Sequence, residues 1–432
     1  MPVARIKYRP LHPRQREIYQ QLGPRNVLRC GRRFGKTELL ETTFSKRAIL
    51  GRKVGWFSPD YKIARPTYTR LLRLFGDGLV AHASKTESII ELKTGGLMEF
   101  WTLDNEDAGR SRDYDDAVID EASLKKKGLR EIVEQAIMPT LLDRRGTLTM
   151  AGTPKGIDPE NYFYAVCSDP KLRLSAVNET GFREFYAPTR DNPTLDPIGV
   201  AALQDEYPPL VYQQEYLAEF VDWSGEAFFA LPSLLDSDGN PWPYPVRCDA
   251  VLVTIDSATK TGKEHDGTAA CFWAYSRYPT PHTYLLDWDI AQIEGALLET
   301  WLPGIFKQAE MLAIQVGAAH GSLGAWIEDK ASGMILIQQA SKRGWPARAI
   351  DSKLTSLGKD ERAINISGYV HKRQVKITVA AYEKLVNYKG QTANHFRKQV
   401  IGYRVGLKDQ DDDLLDTFCY GVALTLGDSG GF

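Results

Sequence analysis

The stretch that decides the fold is Val27–Thr37, which reads VLRCGRRFGKT. Its apolar start predicts a strand, and the glycine-bearing loop after it leads into a helix. Gly35–Thr37 fill the last three positions of a Walker A phosphate-binding loop, whereas Cys30 stands at the usual first glycine and Gly31 follows it. The alternative interpretation is an ordinary turn ahead of a helix.

The chemistry of such a loop assigns a role to each residue type. Backbone amides and the helix N-terminus cradle the phosphate oxygens of ATP. Lys36 is expected to hold the β- and γ-phosphates, and the Thr37 hydroxyl to ligate Mg²⁺, for which Mn²⁺ can substitute. The other loop residues assigned to nucleotide binding are Gly31, Arg32, Arg33 and Gly35.

A companion motif lies at Asp115–Ala122, DDAVIDEA, where a short apolar strand ends in two acids. In a Walker B element, Asp120 would bind the Mg²⁺ ion and Glu121 would orient or deprotonate the attacking water. An acidic cap at a strand end is the alternative. Walker A followed by Walker B in this order favours a nucleotide-hydrolysing domain.

A third strand pattern, Leu148–Pro154, ends in small polar residues. It resembles the coupling motif of helicase-like motors, in which Thr153 would sense the γ-phosphate and pass the signal to DNA. A plain strand end followed by a turn is the alternative.

Upstream of the loop, Pro10–Gln15 resembles the adenine-reading element of such motors. Gln15 would make two hydrogen bonds to the adenine edge, with Tyr8 or Tyr19 stacked on the base. A cap at the start of an N-terminal helix is the alternative.

ATP hydrolysis also needs a cation near the γ-phosphate in the transition state. Arg32, inside the loop, is a candidate that would act in cis. Arg110 and Arg112, just before the Walker B strand, are candidates that would act in trans on a neighbouring subunit. For each arginine the alternative is a solvated or ion-paired side chain.

The C-terminal half contains a second set of acids. Leu252–Asp256 is an apolar strand that ends in an aspartate, a polar turn follows over Lys260–Gly267, and Thr268–Tyr275 then predicts a hairpin partner. An RNase H-like fold opens in this way. Further acids follow at Glu328, after another strand pattern, and at Asp413, at the start of an apolar helix.

Three such carboxylates can hold two Mg²⁺ or Mn²⁺ ions, because these ions prefer oxygen ligands. A pair of such ions assists the cleavage of phosphodiester bonds. We therefore predict a nuclease site of Asp256, Glu328 and Asp413. Asp412 and Asp416 remain alternatives to Asp413, since Asp413 and Asp416 would share one helix face. Taken singly, acids at strand ends are commonly turn residues or helix caps.

The composition excludes several other classes. The 432 residues are 43% hydrophobic and 25% charged, as in soluble globular proteins, and no apolar run is long enough for a membrane span. The net charge of −1 argues against non-specific coating of DNA. Five cysteines without a C-x-x-C pair argue against a disulfide framework or a structural zinc site, and a cytoplasmic location is expected.

Two regions alternate strand and helix patterns, one from about Asn26 to Tyr186 and one from Ala250 to the end. A proline-rich segment separates them, with a helix expected over Leu210–Phe220. We predict an ATPase motor domain over residues 1–221, a linker over 222–245 and an RNase H-like nuclease domain over 246–432. The fold class is α/β, with a helicase-like P-loop NTPase domain first.

The order of Walker A, Walker B, coupling strand and RNase H-like acids resembles the large terminase subunit of tailed bacteriophages. The matching residues are Gly35–Thr37, Asp120, Glu121, Thr153, Asp256, Glu328 and Asp413. The segments Gln213–Phe220 and Glu328–Gly333 also resemble the family's end-of-motor helix and the surroundings of its second nuclease acid. The departure at Cys30 is modest for this family.

The resemblance implies a viral packaging motor. A homo-oligomeric ring, commonly of five subunits, docks on the portal protein of a procapsid and drives double-stranded DNA inward. A small terminase subunit recognises the DNA, and the nuclease cuts the concatemer. The protein would then act in the host cytoplasm, transiently at the procapsid portal, and be absent from the mature virion.

Three rival interpretations remain at this point. A DNA helicase or translocase would carry a structural second domain without nuclease activity. A non-enzymatic portal or chromatin-binding module would keep an inactive nucleotide fold, although Lys36 and Glu121 are both present. A transposition protein would share the RNase H-like domain but rarely the motor.

Overall fold

The computed structural model describes residues 6–223, 227–257, 267–293, 298–329, 332–405 and 410–427. Two compact units emerge, the first from Met1–Gln204 with Pro209–Asp222 and the second from Asp205–Pro208 with Trp223–Phe432. The finer division into motor, linker and nuclease domains stays a prediction. Most of the turn predicted over 260–267 lies outside the described residues. No helix in the described part of the chain is long and apolar enough to cross a membrane.

An eight-stranded sheet forms the centre of the first unit, in the order β3-β4-β5-β2-β6-β7-β1-β8. Its pairs are parallel except for β3 with β4 and β4 with β5. The strands are β1 (Arg25–Cys30), β2 (Lys53–Ser58), β3 (Val80–Ser84), β4 (Ile89–Leu92), β5 (Leu97–Thr102), β6 (Asp116–Ile119), β7 (Thr147–Gly152) and β8 (Arg183–Ala187).

Helices accompany the strands of this unit. They are α1 (Pro13–Gln21), α2 (Lys36–Ile49), α3 (Tyr61–Leu79), α4 (Leu129–Glu131), α5 (Tyr162–Ser168), α6 (Pro197–Glu206) and α7 (Pro209–Val211). Short 3₁₀ or π-helical turns lie at Ala122–Leu124, Ile132–Ile137, Met138–Leu141, Thr189–Asp191 and Tyr212–Tyr216. The helix expected over Leu210–Phe220 is shorter than predicted, because its π-helical end stops at Tyr216 and Ala218 takes a left-handed φ of 58°.

Apolar side chains cover both faces of the first sheet. Along β2, Trp56 belongs to one hydrophobic cluster and Phe57 to the other, and Val118 and Ile119 on β6 divide in the same way. Successive side chains of a strand point to opposite faces. A parallel sheet buried on both faces therefore reads as a continuous apolar run in the sequence.

The strand order brings the three nucleotide motifs together. β7, which leads to Thr153, lies between β1, which leads into the Walker A loop, and β6, which leads to Asp120. All three strands are parallel, so their carboxyl ends meet at one edge of the sheet, where open α/β sheets bind ligands.

A six-stranded sheet forms the second unit, in the order β13-β12-β9-β10-β11-β14. Its strands are β9 (Ala250–Asp256), β10 (Thr268–Ser276), β11 (His282–Ala291), β12 (Ser322–Ile327), β13 (Ala347–Ala349) and β14 (Val375–Ile377). A separate hairpin pairs β15 (Val386–Tyr388) with β16 (Gln391–Ala393). β9, β10 and β11 are antiparallel, and β12 runs parallel to β9 on its other side, which is the RNase H-like arrangement.

The helices of the second unit are α8 (Leu298–Gln315), α9 (Ser332–Lys342), α10 (Ser352–Thr355), α11 (Lys359–His371), α12 (Val379–Glu383) and α13 (Asp413–Leu426). Short 3₁₀ and π-helical turns lie at Leu231–Ser233 and Arg397–Ile401.

The sheet of the second unit aligns two of the predicted acids. Ile255 on β9 is the direct partner of Ile327 on the parallel strand β12, so Asp256 and Glu328 follow at neighbouring strand ends. α13 packs on β9, since the Thr254 hydroxyl donates to the Thr417 carbonyl at 3.0 Å. The first turn of α13, with its own acids, is thereby held near the ends of β9 and β12.

Candidate functional site

The Walker A loop is shaped by one glycine at its end. Gly35 precedes α2 with a left-handed φ of 95°, a conformation that residues with a Cβ rarely adopt. It lets the chain turn so that Lys36 and Thr37 open the helix. Near the start of the loop, Gly31 accommodates close packing, because a Cβ there would lie 2.5 Å from the carbonyl oxygen of Tyr216.

Lys36 links all three nucleotide motifs. Its Nζ lies 2.8 Å from Oε1 of Glu121 and donates to the Thr153 hydroxyl at 3.4 Å. Burial disfavours the ammonium form, but Glu121 and Asp120 outweigh that penalty and keep the pKa of Lys36 above its ordinary value. The charge that a γ-phosphate would meet is therefore already in place.

Asp120 and Thr37 form the candidate magnesium position. The Thr37 hydroxyl donates to Oδ2 of Asp120 at 3.1 Å. Burial, together with the charge of Glu121, raises the pKa of Asp120 to about 7. A buried carboxyl group beside a second acid is stabilised by a cation. The oxygen donors of Asp120 and Thr37 are those that Mg²⁺ prefers, so these residues fit the ion.

Glu121 sits in an unusual backbone conformation, with a left-handed φ of 53°. Strain of this kind concentrates at functional sites, where surrounding contacts hold it. The conformation leaves the side chain of Glu121 on Lys36, whereas the preceding Asp120 accepts a hydrogen bond from the Glu121 amide at 3.1 Å. The two Walker B acids thus face different partners.

Arg32 does not project freely from the loop. Its guanidinium forms an ion pair with Glu215, and its amide donates to the Glu215 carbonyl at 2.7 Å. Lys155, just after the coupling strand, approaches the same carboxylate at 3.2 Å. Burial opposes ionisation of Glu215, but Lys155 and Arg32 prevail and lower its pKa to about 2. A cis role for Arg32 would require it to leave Glu215.

The two candidates for a trans arginine differ in their surroundings. Arg112 is held by Glu99 at 3.1 Å and packs over the Trp101 ring at 5.7 Å. Arg110 is exposed and pairs with Asp107, three residues earlier, at 2.6 Å. Of the two side chains, that of Arg110 is the easier to redirect toward a neighbouring subunit.

Gln15 serves as part of a helix cap. Its side-chain oxygen accepts from the His12 amide at 3.0 Å, and its side-chain nitrogen donates to the Gly35 carbonyl at 2.9 Å. Both ends of the amide are therefore engaged within the chain. Tyr8 and Tyr19 both contact the ammonium of Lys46, at 5.1 and 5.3 Å from their ring centroids. Adenine reading by Gln15 stays a prediction and would need a rearrangement of these contacts.

In the second unit, Asp256 and Glu328 share one buried position. A side-chain hydrogen bond joins the two carboxyl groups. Burial raises the pKa of Asp256 well above its ordinary value, and the charges of Glu328, Asp416 and Asp413 raise it further. All four acids therefore belong to one electrostatic cluster.

The aspartates at the start of α13 divide into outward and inward pairs. Asp411 is paired with Lys389 at 2.6 Å, and Asp412 is paired with Lys359. Asp413 and Asp416 are buried, with exposures of 6% and 7%. The choice left open by the sequence therefore narrows to the two inward-facing residues.

Asp413 and Asp416 are bound differently. The two oxygens of Asp413 accept from the Gly267 amide at 2.9 Å and from the Tyr388 hydroxyl at 3.1 Å. Asp416 accepts from Arg362 at 2.7 Å through Oδ2, while its buried Oδ1 has no hydrogen-bond partner among the described residues. Asp416, one of the alternatives that the sequence left open, therefore presents an oxygen that can bind a cation.

The cluster fits divalent cations by its chemistry. Its donors are carboxylate oxygens, it is buried, and the mutual repulsion of its members favours a bound positive charge. Within the described ranges, no three His, Cys, Asp or Glu side chains already form a group that would hold a metal ion. The residues that suit such an ion by donor type and position are Asp256, Glu328 and Asp416, with Asp413 beside them.

The sequence does not predict the roles of several residues in these sites. Glu215 lies in a segment singled out by the resemblance, but nothing in its spacing predicts an ion pair with the Walker A loop. Arg362 on α11 and Tyr420 on α13 flank the acid cluster, and no motif marks either position. Only an ordinary apolar helix pattern marks Tyr420, so the structure was needed to find it.

These two folds define the class of the protein, which joins a P-loop NTPase unit to an RNase H-like unit. No protein-family model matches the chain. The large terminase subunit of Thermus virus P23-45 is 28% identical over 266 residues, covering 53% of this chain and 52% of that protein. That of Thermus phage G20c is 27% identical over the same length. The chain spans about half the length of the curated relatives it matches.

Solved structures extend the likeness to nearly the whole chain. The large terminase of a thermophilic bacteriophage gives a TM-score of 0.64 at 15% identity, covering 96% of this chain and 99% of that chain. The same protein in complex with ADP gives a TM-score of 0.65. The chain therefore has the fold of a large terminase, and the resemblance predicted from the sequence is confirmed.

Proposed function

We propose that the chain is the motor and nuclease of a viral genome-packaging machine. ATP hydrolysis in the first unit drives translocation of double-stranded DNA into a procapsid, and the second unit cuts concatemeric DNA. The observation that carries the proposal is the presence of two separate acid sites on the two folds of a large terminase. A packaging motor must both move a polymer and sever it.

The nucleotide site supports the proposed ATP hydrolysis because the side chains that would carry it already lie in contact with one another. Lys36 would leave Glu121 for the β- and γ-phosphates, and Glu121 would then be free to orient and deprotonate water. Thr37 and Asp120 would hold Mg²⁺, which neutralises phosphate charge when bound. Thr153, which contacts Lys36, would report the change to the coupling strand.

The second site supports phosphodiester cleavage. Asp256, Glu328 and an inward aspartate of α13 would hold two Mg²⁺ or Mn²⁺ ions, which supply Lewis-acid activation of water and of the leaving oxygen when bound. Asp413, fixed by Gly267 and Tyr388, would orient the start of α13. Asp416, which the sequence left as an alternative to Asp413, would contribute the oxygen that has no hydrogen-bond partner among the described residues.

The partners and location follow from this proposal. The motor would assemble as a ring, commonly of five subunits, on the portal protein, with a small terminase subunit selecting the DNA. Such an enzyme works in the host cytoplasm, transiently at the procapsid portal, and leaves before the virion matures. The bacteriophage large terminase whose fold this chain shares has been solved in complex with ATP-γ-S and with ADP.

The test is plasmid cleavage by the purified chain in Mn²⁺ and in EDTA, with Asp256→Ala alongside. We expect metal-dependent cutting that the variant loses by at least about a hundredfold, since it lacks a ligand. A matched control is Asp249→Ala, at the opposite end of strand β9, which should cut like the unaltered chain. Absence of cutting under every condition would leave a DNA translocase with a structural second unit.

A further inference from the structure

One arginine of the second unit lies in an unusual place. Arg362, on α11, has an exposure of only 6%, the lowest of any arginine or lysine in the described part of the chain. Removing a guanidinium from water is costly, and the cost is recovered only through close partners. The partners of Arg362 all belong to the acid cluster or touch it.

Two of those contacts are direct. One terminal nitrogen of Arg362 donates to Oδ2 of Asp416 at 2.7 Å, and the other donates to the hydroxyl of Tyr420. Asp416 and Tyr420 are four residues apart on α13 and so share one face of that helix. The Tyr420 ring also lies under the guanidinium, 5.0 Å from its centroid to the arginine Cζ.

Tyr420 extends the contact to a second acid. Its hydroxyl accepts from Arg362 and donates to Oε1 of Glu328 at 3.0 Å. Glu328 in turn shares a hydrogen bond with Asp256. A continuous chain of polar contacts therefore runs from Arg362 through Tyr420 to the two acids at the ends of β9 and β12.

The charges nearby make Arg362 distinctive. Lys359 and Lys389 neutralise the outward acids Asp412 and Asp411, and the Lys359 side chain is 43% exposed. Arg362 instead faces inward, against Asp416, which is itself buried. A positive charge at this point offsets the repulsion among the neighbouring carboxylates.

We infer that Arg362 is the resident cation of the acid cluster and, through Tyr420, a positioning residue for Glu328. The inference rests on the proposed nuclease function of this site. Arg362 holds the carboxylates close together before a divalent ion arrives, and it fixes the Glu328 side chain that would receive the ion. Its role resembles that of the groups behind metal ligands, whose loss commonly costs about ten- to a hundredfold in activity.

The test compares four substitutions in the full chain, Arg362→Gln, Arg362→Lys, Tyr420→Phe and, as a matched control, Tyr284→Phe. Tyr284 lies on β11 of the same unit and accepts a hydrogen bond from Lys376 at 3.2 Å, away from the acids. Thermal unfolding is followed with and without Mn²⁺, and plasmid cleavage is measured over a range of Mn²⁺ concentrations.

A resident cation predicts a specific pattern of unfolding midpoints. Without Mn²⁺, Arg362→Gln should lower the midpoint by several degrees, and Arg362→Lys should recover a clear part of that loss because it restores the charge. Mn²⁺ should raise the midpoint of Arg362→Gln more than that of the unaltered chain. Equal losses in both Arg362 variants, or equal Mn²⁺ effects in Arg362→Gln and the unaltered chain, would overturn the resident-cation role.

The positioning role is read separately. Tyr420→Phe keeps the charge, so its midpoint should respond to Mn²⁺ like the unaltered chain, while its maximal cleavage rate falls about tenfold or more. Cleavage by Tyr420→Phe at the rate of Tyr284→Phe would overturn that role. If the unaltered chain neither cuts DNA nor responds to Mn²⁺, the nuclease proposal fails. The metal-free midpoints of Arg362→Gln and Arg362→Lys still decide whether the charge of Arg362 compensates the acids.

Discussion

At the scale of single residues, the nucleotide site is held by charge. Lys36 forms an ion pair with Glu121 at 2.8 Å. The residue that would bind phosphate is therefore paired with the residue that would activate water. In the proposed function, ATP would compete with Glu121 for Lys36, because both present negatively charged oxygens to the same ammonium group. The pair would therefore restrain the site until a nucleotide enters.

Replacing Lys36 tests this arrangement directly. Lys36→Ala should reduce ATP turnover by more than about a hundredfold, because a principal cation at the γ-phosphate is lost. Phosphate release in the presence of DNA measures the effect. Lys62→Ala, an exposed lysine on α3, is the control and should retain full turnover. Ordinary turnover by Lys36→Ala would remove Lys36 from the mechanism.

Gly31 matters for packing at the start of the Walker A loop. A Cβ at this position would lie 2.5 Å from the Tyr216 carbonyl oxygen and 2.6 Å from the Thr189 hydroxyl. Gly31→Ala should therefore lower the free energy of unfolding of the first unit by about 1–3 kcal/mol, the usual cost of overpacking.

Chemical unfolding measures this cost against a second glycine of the same unit. Gly23→Ala places its Cβ 3.9 Å from the side-chain oxygen of Asn26, an ordinary contact, and should change stability by less than about 0.5 kcal/mol. Equal stability of the two variants would mean that the Tyr216 segment moves away without cost. In that case Gly31 would be retained for approach to phosphate instead.

At the scale of elements, the sequence predicts best where pattern and burial agree. β2 (Lys53–Ser58) and β9 (Ala250–Asp256) each enclose a largely apolar run and extend by only one polar residue at an end. Both strands pack apolar residues on two faces, so the hydrophobic pattern alone sets their limits. The three nucleotide motifs meet for the same reason, since each follows a buried strand.

Other elements depend on contacts that the sequence does not encode locally. The sequence pattern predicts no strand at Arg183–Ala187, because β8 mixes polar and apolar residues and gains its place by pairing with β1. The helix expected to reach Phe220 ends earlier. There the backbone amide of Glu219 donates to the Gln213 carbonyl, which breaks the regular helical hydrogen-bond pattern. The acid pair formed by Asp256 and Glu328 was predictable from strand ends, whereas Arg362 and Tyr420 were not.

Glu215 joins three elements of the first unit. Its carboxylate binds Arg32 of the Walker A loop and Lys155 after β7, from its own π-helical turn. The ordinary pKa of 4.5 falls to about 2 in the folded chain. A carboxyl group whose pKa is lower in the folded chain stabilises the fold at pH values above its unfolded pKa. This contribution disappears as the pH falls from about 4.5 toward 2.

The free energy of unfolding of Glu215→Gln should therefore be lower than that of the unaltered chain by about 3 kcal/mol at pH 7, which corresponds to the pKa shift of Glu215. The difference should shrink when unfolding is measured at pH 3. Glu219→Gln, an exposed residue of the same segment, is the control and should behave like the unaltered chain at both pH values. A difference independent of pH would mean that shape, not charge, holds this junction.

At the scale of the whole molecule, each site is built within one unit. The Walker residues and Glu215 belong to the first unit, and the acid cluster with Arg362 belongs to the second. Lys36→Ala should accordingly spare Mn²⁺-dependent cleavage, and Asp256→Ala should spare ATP turnover. Loss of both activities in either variant would mean that one site depends on the integrity of the other.

A ring of subunits would place one further residue across a boundary. Arg110 is exposed and pairs with an exposed acid three residues away, which is the environment of a side chain able to reach a neighbour. If Arg110 acts in trans, an Arg110→Ala subunit keeps a working ATP site but gives its neighbour no arginine. A Lys36→Ala subunit has an inactive ATP site but still gives its neighbour Arg110. Each variant alone should have less than about a hundredth of normal turnover on procapsids.

An equal mixture of the two variants should recover roughly a quarter of the normal turnover. Half of the subunits keep Lys36, and in a head-to-tail ring half of those have a neighbour that keeps Arg110. Arg112→Ala is the comparison, because its partner Glu99 lies in the same unit and loss of that pair cannot be repaired by a neighbour. Absence of recovery would exclude Arg110 as a residue that acts in trans and would leave Arg32, which would have to leave Glu215, and Arg112, which would have to leave Glu99.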